Sequence, residues 1–321
     1  METPQTILVT GGAGFIGSHV AGRLARLGHT VIVVDTLNDY YDPELKKDRL
    51  QGLLKDLPHV FYQVDVADEV AMREIFRTHT IDQICHQAAQ AGVRYAAQAP
   101  FDYEHSNLRG TLTILELARE FEVNNIVIAS SSSVYGDATR YPIKETDPTD
   151  SPLSLYAATK KSCELMAHSY HHLYDLPITC LRYFTVYGPW GRPDMAAFSF
   201  TKAAIEGISI DVYGQGDMAR DFSFIDDIVN GIVRALDARL PWAILNLGRG
   251  QAEPLMRMIE LIEQATGKTI EKRYLDMQPG DVRQTWADVT SAKERLGWEP
   301  HVDLDEGIKK FVEWYRSYYG V

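Results

Sequence analysis

The chain has 321 residues and a formal net charge of −12, with 45% hydrophobic and 24% charged residues. This composition is typical of a globular protein, and its acidity argues against the basic surface that nucleic-acid-binding proteins present. No segment approaches the roughly 18 consecutive apolar residues of a membrane-spanning helix, so we expect neither a nucleic acid nor a membrane as a partner.

Short β-branched runs alternate with helical stretches through the first half of the chain. The predicted strands are Thr6–Thr10, Thr30–Val34, Val60–Gln63, Gln83–His86 and Asn125–Ala129, and the predicted helices between them include Ile16–Arg26, Ala71–Thr78 and Asn107–Phe121. Strands that alternate with helices indicate a parallel sheet covered on both faces. The continuous apolar runs within these strands agree with such burial.

The glycine-rich segment Thr10–Gly17 follows the first predicted strand and opens the first predicted helix. Gly11 permits a tight turn, Gly14 lets the backbone approach a pyrophosphate, and Gly17 lets the helix pack against the strand. The start of that helix offers free N–H groups to phosphates. The segment therefore predicts a dinucleotide-binding loop.

An acidic residue ends the second predicted strand. Asp35 lies 18 residues after Gly17, where a carboxylate can accept hydrogen bonds from the adenosine ribose. Such a carboxylate repels a 2′-phosphate, so we expect NAD and not NADP as the cofactor. Further expected cofactor contacts are Phe15 and Ile16 at the helix start, and Asp65 and Val66 after the third strand.

The texture of the sequence changes after about residue 188, where glycine and proline cluster in Gly188–Pro193. We predict an α/β fold with a Rossmann-type doubly wound parallel sheet in residues 1–188. Residues 189–321 would mainly form a smaller C-terminal α/β lobe for the substrate, with the chain crossing between the lobes. Three widely spaced cysteines without a CxxC pair, no metal-ligand spacing of histidines and no signal segment before Gly11 predict a cytoplasmic protein without a metal.

A tyrosine and a lysine are spaced for one helix face. Tyr156 and Lys160 lie four residues apart, and a nearby cation favours the phenolate form that a general base requires. The serine run Ser130–Ser133 follows an apolar strand, where open α/β sheets build their sites. A serine there can hydrogen-bond the same substrate hydroxyl as the tyrosine.

Four motifs together resemble the extended short-chain dehydrogenase/reductase superfamily: TGGAGFIG from residue 10, SSSSVYG from residue 130, YxxxK from residue 156 and LRYFTVYGP from residue 181. The resemblance covers essentially the whole chain and implies reversible hydride chemistry on a sugar hydroxyl. It implies Ser131, Tyr156 and Lys160 as catalytic residues, with Lys160 also binding the nicotinamide ribose. Other implied cofactor contacts are Gln87, Ala88, Ala89 and Tyr183.

Several positions distinguish branches of this superfamily. Dehydratases carry an Asp-Glu pair where this chain has Ser132 and Ser133, so dehydration is not expected. UDP-galactose-type epimerases usually carry Asn where this chain has Thr185. The segments 38–50, 90–95 and 190–196 resemble UDP-glucuronate 4-epimerases, which implies NAD-dependent conversion of UDP-glucuronate to UDP-galacturonate through a transient 4-keto sugar.

The resemblance also implies the groups that hold the UDP-sugar. Thr185 and the serine run could hydrogen-bond the uronate carboxylate and Arg192 could supply positive charge, although Asp194 could instead neutralise Arg192. Arg220 resembles the arginine that grips the diphosphate, and Arg283 lies near another such position in a segment that departs in part from the pattern. The implied substrate contacts are Gln90, Arg94, Ser132, Ser133, Thr185, Arg192, Arg220 and Arg283.

Three other functions stay open from the sequence. A UDP-hexuronate decarboxylase and a neutral UDP-hexose 4-epimerase would use the same catalytic residues. A non-catalytic NAD-sensing protein would keep the glycine loop but commonly loses the tyrosine or lysine, both of which are present here. The resemblance further implies a homodimer, formed through the helix that contains YxxxK and the helix that follows Asn107.

Overall fold

The computed structural model describes residues 4–278 and 280–321. Its strands are β1 (Thr6–Thr10), β2 (Thr30–Asp35), β3 (His59–Gln63), β4 (Gln83–His86), β5 (Asn125–Ser131), β6 (Ile178–Tyr183), β7 (Thr185–Tyr187), β8 (Ile210–Tyr213), β9 (Ala219–Arg220), β10 (Phe222–Phe224), β11 (Trp242–Leu247), β12 (Glu253–Pro254) and β13 (Lys272–Leu275). Its α-helices are α1 (Phe15–Arg26), α2 (Pro43–Leu53), α3 (Glu69–Thr78), α4 (Pro100–Tyr103), α5 (Gly110–Glu120), α6 (Leu155–Tyr174), α7 (Ala196–Glu206), α8 (Ile225–Ala238), α9 (Leu255–Thr266), α10 (Thr290–Leu296) and α11 (Leu304–Tyr319). Within these ranges, no helix has both the length and the apolar character to cross a bilayer.

Seven parallel strands form the central sheet in the order β3-β2-β1-β4-β5-β6-β11. This confirms the predicted Rossmann-type α/β fold. The order runs outward in both directions from β1, so the connections diverge beside its carboxyl end. Open α/β sheets bind ligands in the crevice at such a divergence.

Two hydrophobic cores cover the two faces of the sheet. Along β1, Ile7 and Val9 pack in the core that includes α1 and α8, whereas Leu8 packs in the core that includes α3 and α5. This alternation follows from the two-residue period of a strand, and burial on both faces explains the continuous apolar sequence. The covered sheet is a rigid support for the residues that follow its strands.

The chain returns to the central sheet after leaving it. Strand β11 pairs with β6 although it lies beyond residue 188, and α8 packs against α1. The remaining C-terminal segments form three strand pairs, β7–β10, β8–β13 and β9–β12, beside a helical layer of α7, α9 and α11. The pairs β7–β10 and β9–β12 lie next to the carboxyl ends of the central strands. Together with those ends they line the cavity that is described below.

One predicted helix differs from the structure. Instead of a single α-helix over Asn107–Phe121, the chain forms a π-helical segment, Glu104–Arg109, that runs directly into α5. π-helical turns are rare and occur mostly at functional sites. Here the turn places the side chain of Asn107 between two parts of the site, as described below.

Candidate active site

A cavity of about 870 Å³ follows the carboxyl ends of the central strands. It extends from the glycine loop after β1 to the short strands of the C-terminal part. All but one of the site residues expected from the sequence line it: Gly11, Gly14, Phe15, Ile16, Gly17, Asp35, Asp65, Val66, Gln87, Ala88, Ala89, Gln90, Arg94, Ser131, Ser132, Ser133, Tyr156, Lys160, Tyr183, Thr185, Arg192 and Arg220. Arg283 does not join them; its side chain is exposed.

The glycine loop is closed by its own backbone and leaves no room for larger side chains. Gly11 has φ +63° and its carbonyl accepts a hydrogen bond of 3.0 Å from the Gly14 N–H. A Cβ atom on Gly17 would lie 2.1 Å from the Gly11 oxygen. Both observations agree with a loop in which backbone groups approach a phosphate directly.

The Asp35 carboxylate lies beside this loop at the end of β2. It accepts hydrogen bonds from the backbone N–H groups of Ala13 (3.1 Å) and Leu37 (2.9 Å), which hold it at the cavity wall. A carboxylate fixed there suits the free ribose hydroxyls of NAD and opposes a 2′-phosphate. The glycine cradle, this carboxylate and the length of the cavity therefore fit NAD.

The catalytic candidates meet at the end of β5. The Lys160 ammonium is buried and donates to the Ala129 carbonyl (2.8 Å), and Tyr156 lies one turn earlier on α6. The Ser131 hydroxyl oxygen accepts hydrogen bonds from the Ser133 hydroxyl (2.9 Å) and the Ser133 N–H (3.2 Å). With its oxygen engaged in this way, Ser131 keeps its own hydrogen to donate into the cavity.

Asn107, in the π-helical segment, connects the loop after β4 to the catalytic helix. Its amide nitrogen donates to the Gln90 carbonyl (3.1 Å) and the Thr159 hydroxyl (3.0 Å), and its oxygen accepts from the Gln90 N–H (2.8 Å). Thr159 directly precedes Lys160. The amide therefore fixes the distance between a cavity wall and the lysine, a role that sequence reasoning missed.

A buried ion pair supports the serine run from below. Arg182 of β6 binds both carboxylate oxygens of Glu164 at 2.8 Å, and the Ser130 hydroxyl donates to the same carboxylate (2.6 Å). Burial alone would raise the pKa of Glu164, but the hydrogen bonds and charge of Arg182 and the Ser130 hydroxyl hold that pKa below its ordinary value. An ionised, fully bonded carboxylate therefore anchors β5 to α6.

A neutral histidine lies beneath the lysine. His86 hydrogen-bonds the hydroxyls of Thr10 (2.7 Å) and Thr111 (3.1 Å), and its side chain is buried. Burial, reinforced by the charge of Lys160, lowers the pKa of His86 to about 3. The imidazole is therefore uncharged at neutral pH.

The structure pairs Arg192 with Asp194, which was the alternative left open by the sequence. The Arg192 Nε donates to Asp194 Oδ1 (3.0 Å), Nη2 donates to Oδ2, and the Tyr40 hydroxyl donates to Oδ2 (3.2 Å). Burial and the neighbouring Asp194 raise the pKa of Tyr40 to about 12. Because Asp194 takes only the Nε–Nη2 edge, the other edge of the guanidinium remains for an anionic ligand.

Two arginines flank the far end of the cavity. Arg220 donates to the carbonyls of Ala219 (2.9 Å) and Arg283 (3.1 Å), and Arg94 pairs with Asp281 (2.9 Å). Arg283 thus contributes a backbone oxygen that orients Arg220, while its own side chain faces solvent. Arg220 and Arg94 are the cations at this end that line the cavity.

Sequence reasoning also missed Lys46 among the lining residues. Its ammonium donates to the Asn38 carbonyl (2.7 Å) and lies 4.9 Å from the centre of the Tyr41 ring. The signal was present, because these residues belong to the segment 38–50 that pointed to a family. However, no local sequence pattern predicted that Lys46, Asn38 and Tyr41 would lie at the cavity.

Comparisons with known proteins agree with this geometry. A family profile described as the NAD dependent epimerase/dehydratase family matches residues 7–248. The UDP-glucuronate 4-epimerase of Thermodesulfobacterium geofontis is 46% identical over 97% of this chain and 96% of its own length. UDP-glucuronate 4-epimerase 4 of Arabidopsis thaliana is 44% identical over 98% of this chain and 76% of its own length.

Among solved structures, the UDP-glucuronic acid 4-epimerase of Bacillus cereus, in complex with UDP-glucuronic acid and NAD, superposes with a TM-score of 0.92. It is 33% identical in sequence, and the match covers 98% of this chain and all of that one. Both the sequence profile and the fold match extend through the glycine loop, the serine run and the YxxxK helix. The chain therefore belongs to the NAD-dependent epimerase/dehydratase family.

Proposed function

We propose that this protein is an NAD-dependent isomerase that interconverts UDP-glucuronate and UDP-galacturonate by epimerisation at C4. The observation that carries the proposal is that one cavity is lined by Ser131, Tyr156 and Lys160, by the dinucleotide loop and by Arg192. The named relatives, which are UDP-glucuronate 4-epimerases, support the choice of sugar.

The chain supplies proton transfer at the sugar C4 hydroxyl. Tyr156, as the general base, takes the hydroxyl proton, and Lys160 lies one turn further along the same helix. Ser131 donates a hydrogen bond to the same oxygen and steadies the charge that develops there. Bound NAD supplies the hydride acceptor and donor for C4. After the keto sugar is reduced, Tyr156 returns the proton, so no group is consumed in the cycle.

The same residues must protect the intermediate, because a 4-keto uronate is a β-keto acid that can lose CO₂. The hydroxyls of Ser132 and Thr185 line the cavity and form no hydrogen bond with the described residues, so both are available to the carboxylate. Together with the open edge of Arg192, they can hold the carboxylate in an orientation that disfavours C–C cleavage. We assign Arg220 and Arg94, which line the same cavity, to the diphosphate.

Incubation of the purified protein with UDP-glucuronate tests the proposal. We expect UDP-galacturonate, separated by chromatography, with a mass equal to that of the substrate. A UDP-pentose of lower mass would identify a decarboxylase, and conversion of UDP-glucose alone would identify a neutral-sugar epimerase. Unchanged substrate with NAD bound would favour a sensing role.

We also propose that two copies of the chain associate through α5 and α6. These adjacent helices leave large apolar side chains exposed: Leu112 (43%), Leu165 (58%), Leu173 (66%) and Tyr174 (46%). Several large apolar side chains exposed on two packed helices suit a protein–protein interface. A second copy offers the same surface, and two such pairs can form a four-helix bundle.

Replacing Leu165 with glutamate should convert the dimer to a monomer, because each interface would bury two unpaired carboxylates about the twofold axis. Light scattering after size exclusion measures the change. Leu27→Glu, on a comparably exposed leucine (47%) outside these helices, is the matched control and should stay dimeric. A monomeric wild-type chain, or a dimeric Leu165→Glu variant, would contradict the interface.

We place the protein in the cytoplasm. Cys85, Cys163 and Cys180 are free and buried, and burial raises the pKa of Cys85 to about 12. Cysteines that are not paired in disulfides are characteristic of a reducing compartment. Localisation of a tagged chain by fluorescence microscopy tests this assignment.

A further inference from the structure

A fully buried arginine outside the expected site connects the two halves of the cavity. Arg49 of α2 is 0% exposed. Its Nη1 donates hydrogen bonds to the Ala13 carbonyl (3.2 Å) and the Tyr41 hydroxyl. Its Nε donates to the Trp190 carbonyl (2.9 Å), and its Nη2 donates to the Gly191 carbonyl (3.3 Å). All four acceptors are neutral oxygens. The planar guanidinium can span them because its donors point in several fixed directions.

The two carbonyls on the substrate side belong to a strained turn. Trp190 has φ +63°, a conformation that bulky residues rarely adopt and that surrounding contacts must maintain. Its ring packs 5.4 Å from Trp314 and 5.0 Å from Tyr318, measured between ring centres. A Cβ atom on Gly52 would lie 2.9 Å from that ring. Helix α2 therefore holds the turn twice, by the hydrogen bonds of Arg49 and by the space left at Gly52.

This turn sets the position of Arg192. The Gly191 carbonyl held by Arg49 belongs to the peptide group that joins Gly191 to Arg192, so the hydrogen bond fixes the backbone from which the Arg192 side chain extends. Asp194 then orients the guanidinium, as described above. Without Arg49, the strained conformation at Trp190 would lose the hydrogen bonds that hold it. The backbone of Arg192 would then no longer be fixed.

The fourth contact reaches the dinucleotide loop. Ala13 donates its N–H to Asp35 and accepts from Arg49 through its carbonyl, so one residue of the loop is held on both sides. No carboxylate among the described residues pairs with the Arg49 guanidinium, so its charge also favours the negative pyrophosphate that such a loop binds. The same guanidinium thus contacts the cofactor loop and the turn that carries Arg192.

We propose that Arg49 is a positioning residue: it fixes Arg192 for the carboxylate of the sugar and links that position to the loop that binds NAD. The proposal rests on the function proposed above and extends it to a residue that does not line the cavity. It makes discrimination between uronate and neutral sugars depend on a contact remote from the sugar.

The test measures the dissociation constants of UDP-glucuronate and UDP-glucose with the NAD-loaded protein, since the two ligands differ at the carboxylate. In Arg49→Met we expect the preference for UDP-glucuronate to fall about 10-fold, as for loss of a well-placed charged contact. The dissociation constant of UDP-glucose should change by no more than about 2-fold. NAD should also dissociate faster from this variant.

Arg49→Lys keeps the buried charge but lacks the fork that reaches both sides, so it should lose the preference as well. It remains informative if the methionine variant does not fold. Arg26→Met is the matched control, because Arg26 is exposed and donates to the Leu53 carbonyl at the end of the same helix. That variant should keep both the preference and the NAD.

A double-mutant cycle with Arg192→Met completes the test. If Arg49 acts through Arg192, its replacement should cause no further loss of preference in the Arg192→Met background. Folded Arg49 variants that keep the wild-type preference or NAD retention, or losses that add in the double variant, would overturn the inference. A wild-type protein without any preference for UDP-glucuronate would instead refute the proposed substrate.

Discussion

The Tyr156→Phe variant should keep NAD bound and lower turnover by about 100-fold or more, the scale of a lost general base. The phenolic oxygen is the only non-hydrogen atom removed, and the ring can still pack against Tyr103, 6.1 Å away between ring centres. Because the hydroxyl acts on the reacting proton, kcat and kcat/KM should fall together. Steady-state kinetics with UDP-glucuronate, together with quantification of NAD released on denaturation, give both values.

Tyr174→Phe provides the control for a phenol lost from the same helix. Tyr174 ends α6, far from Lys160, and its side chain is 46% exposed. Its turnover should match that of the wild type. Near-normal turnover in Tyr156→Phe would remove Tyr156 from the proton transfer and leave the phenol of this motif without a role.

The Gly17→Ala variant should bind NAD roughly 10- to 100-fold more weakly, the range expected when a methyl group is forced into a filled space. The added Cβ would lie 2.1 Å from the Gly11 oxygen and 2.8 Å from the Gly11 carbonyl carbon. Neither atom can yield without opening the loop, since that oxygen accepts the Gly14 N–H. The amount of NAD that copurifies with each chain reports the effect.

Ser18→Ala is the neighbouring control on the same helix turn. It removes only a buried hydroxyl that bonds the Phe15 carbonyl, and it adds no atom. NAD retention in this variant should stay near that of the wild type. If Gly17→Ala also retains its NAD, the close packing of the loop against the helix is not what allows the cofactor to bind.

Local patterns predicted the central sheet well because burial on both faces leaves a direct trace in the sequence. β1 and β5 are continuous apolar runs in the sequence. The glycine loop was predictable because it lies between a strand and a helix, whose apolar residues recur with different spacings. The pairing of β11 with β6 joins segments separated by about sixty residues, and neither segment carries a local signal for the other. That return of the chain was expected only in general terms.

The contacts between loops were less predictable than the motifs. Tyr156 and Lys160 follow from helical spacing, whereas the role of Asn107 depends on a π-helical turn that its sequence does not announce. Arg49 lies in the segment 38–50 that resembles a family, but within the described residues it has no charged partner, and two of its acceptors lie 36 and 141 residues away. For Arg283, sequence position alone could not show that the carbonyl, and not the side chain, points toward Arg220.

The proposed proton-transfer groups are held in place by the fold, which limits how C4 can be inverted. The Lys160 ammonium donates a hydrogen bond to the carbonyl of Ala129, two residues before Ser131 on β5. This contact holds α6, which carries Tyr156 and Lys160, in a fixed position relative to Ser131. Side chains held in this way cannot move from one face of a sugar ring to the other. Inversion at C4 therefore requires the keto sugar to rotate within the cavity while these side chains keep their positions.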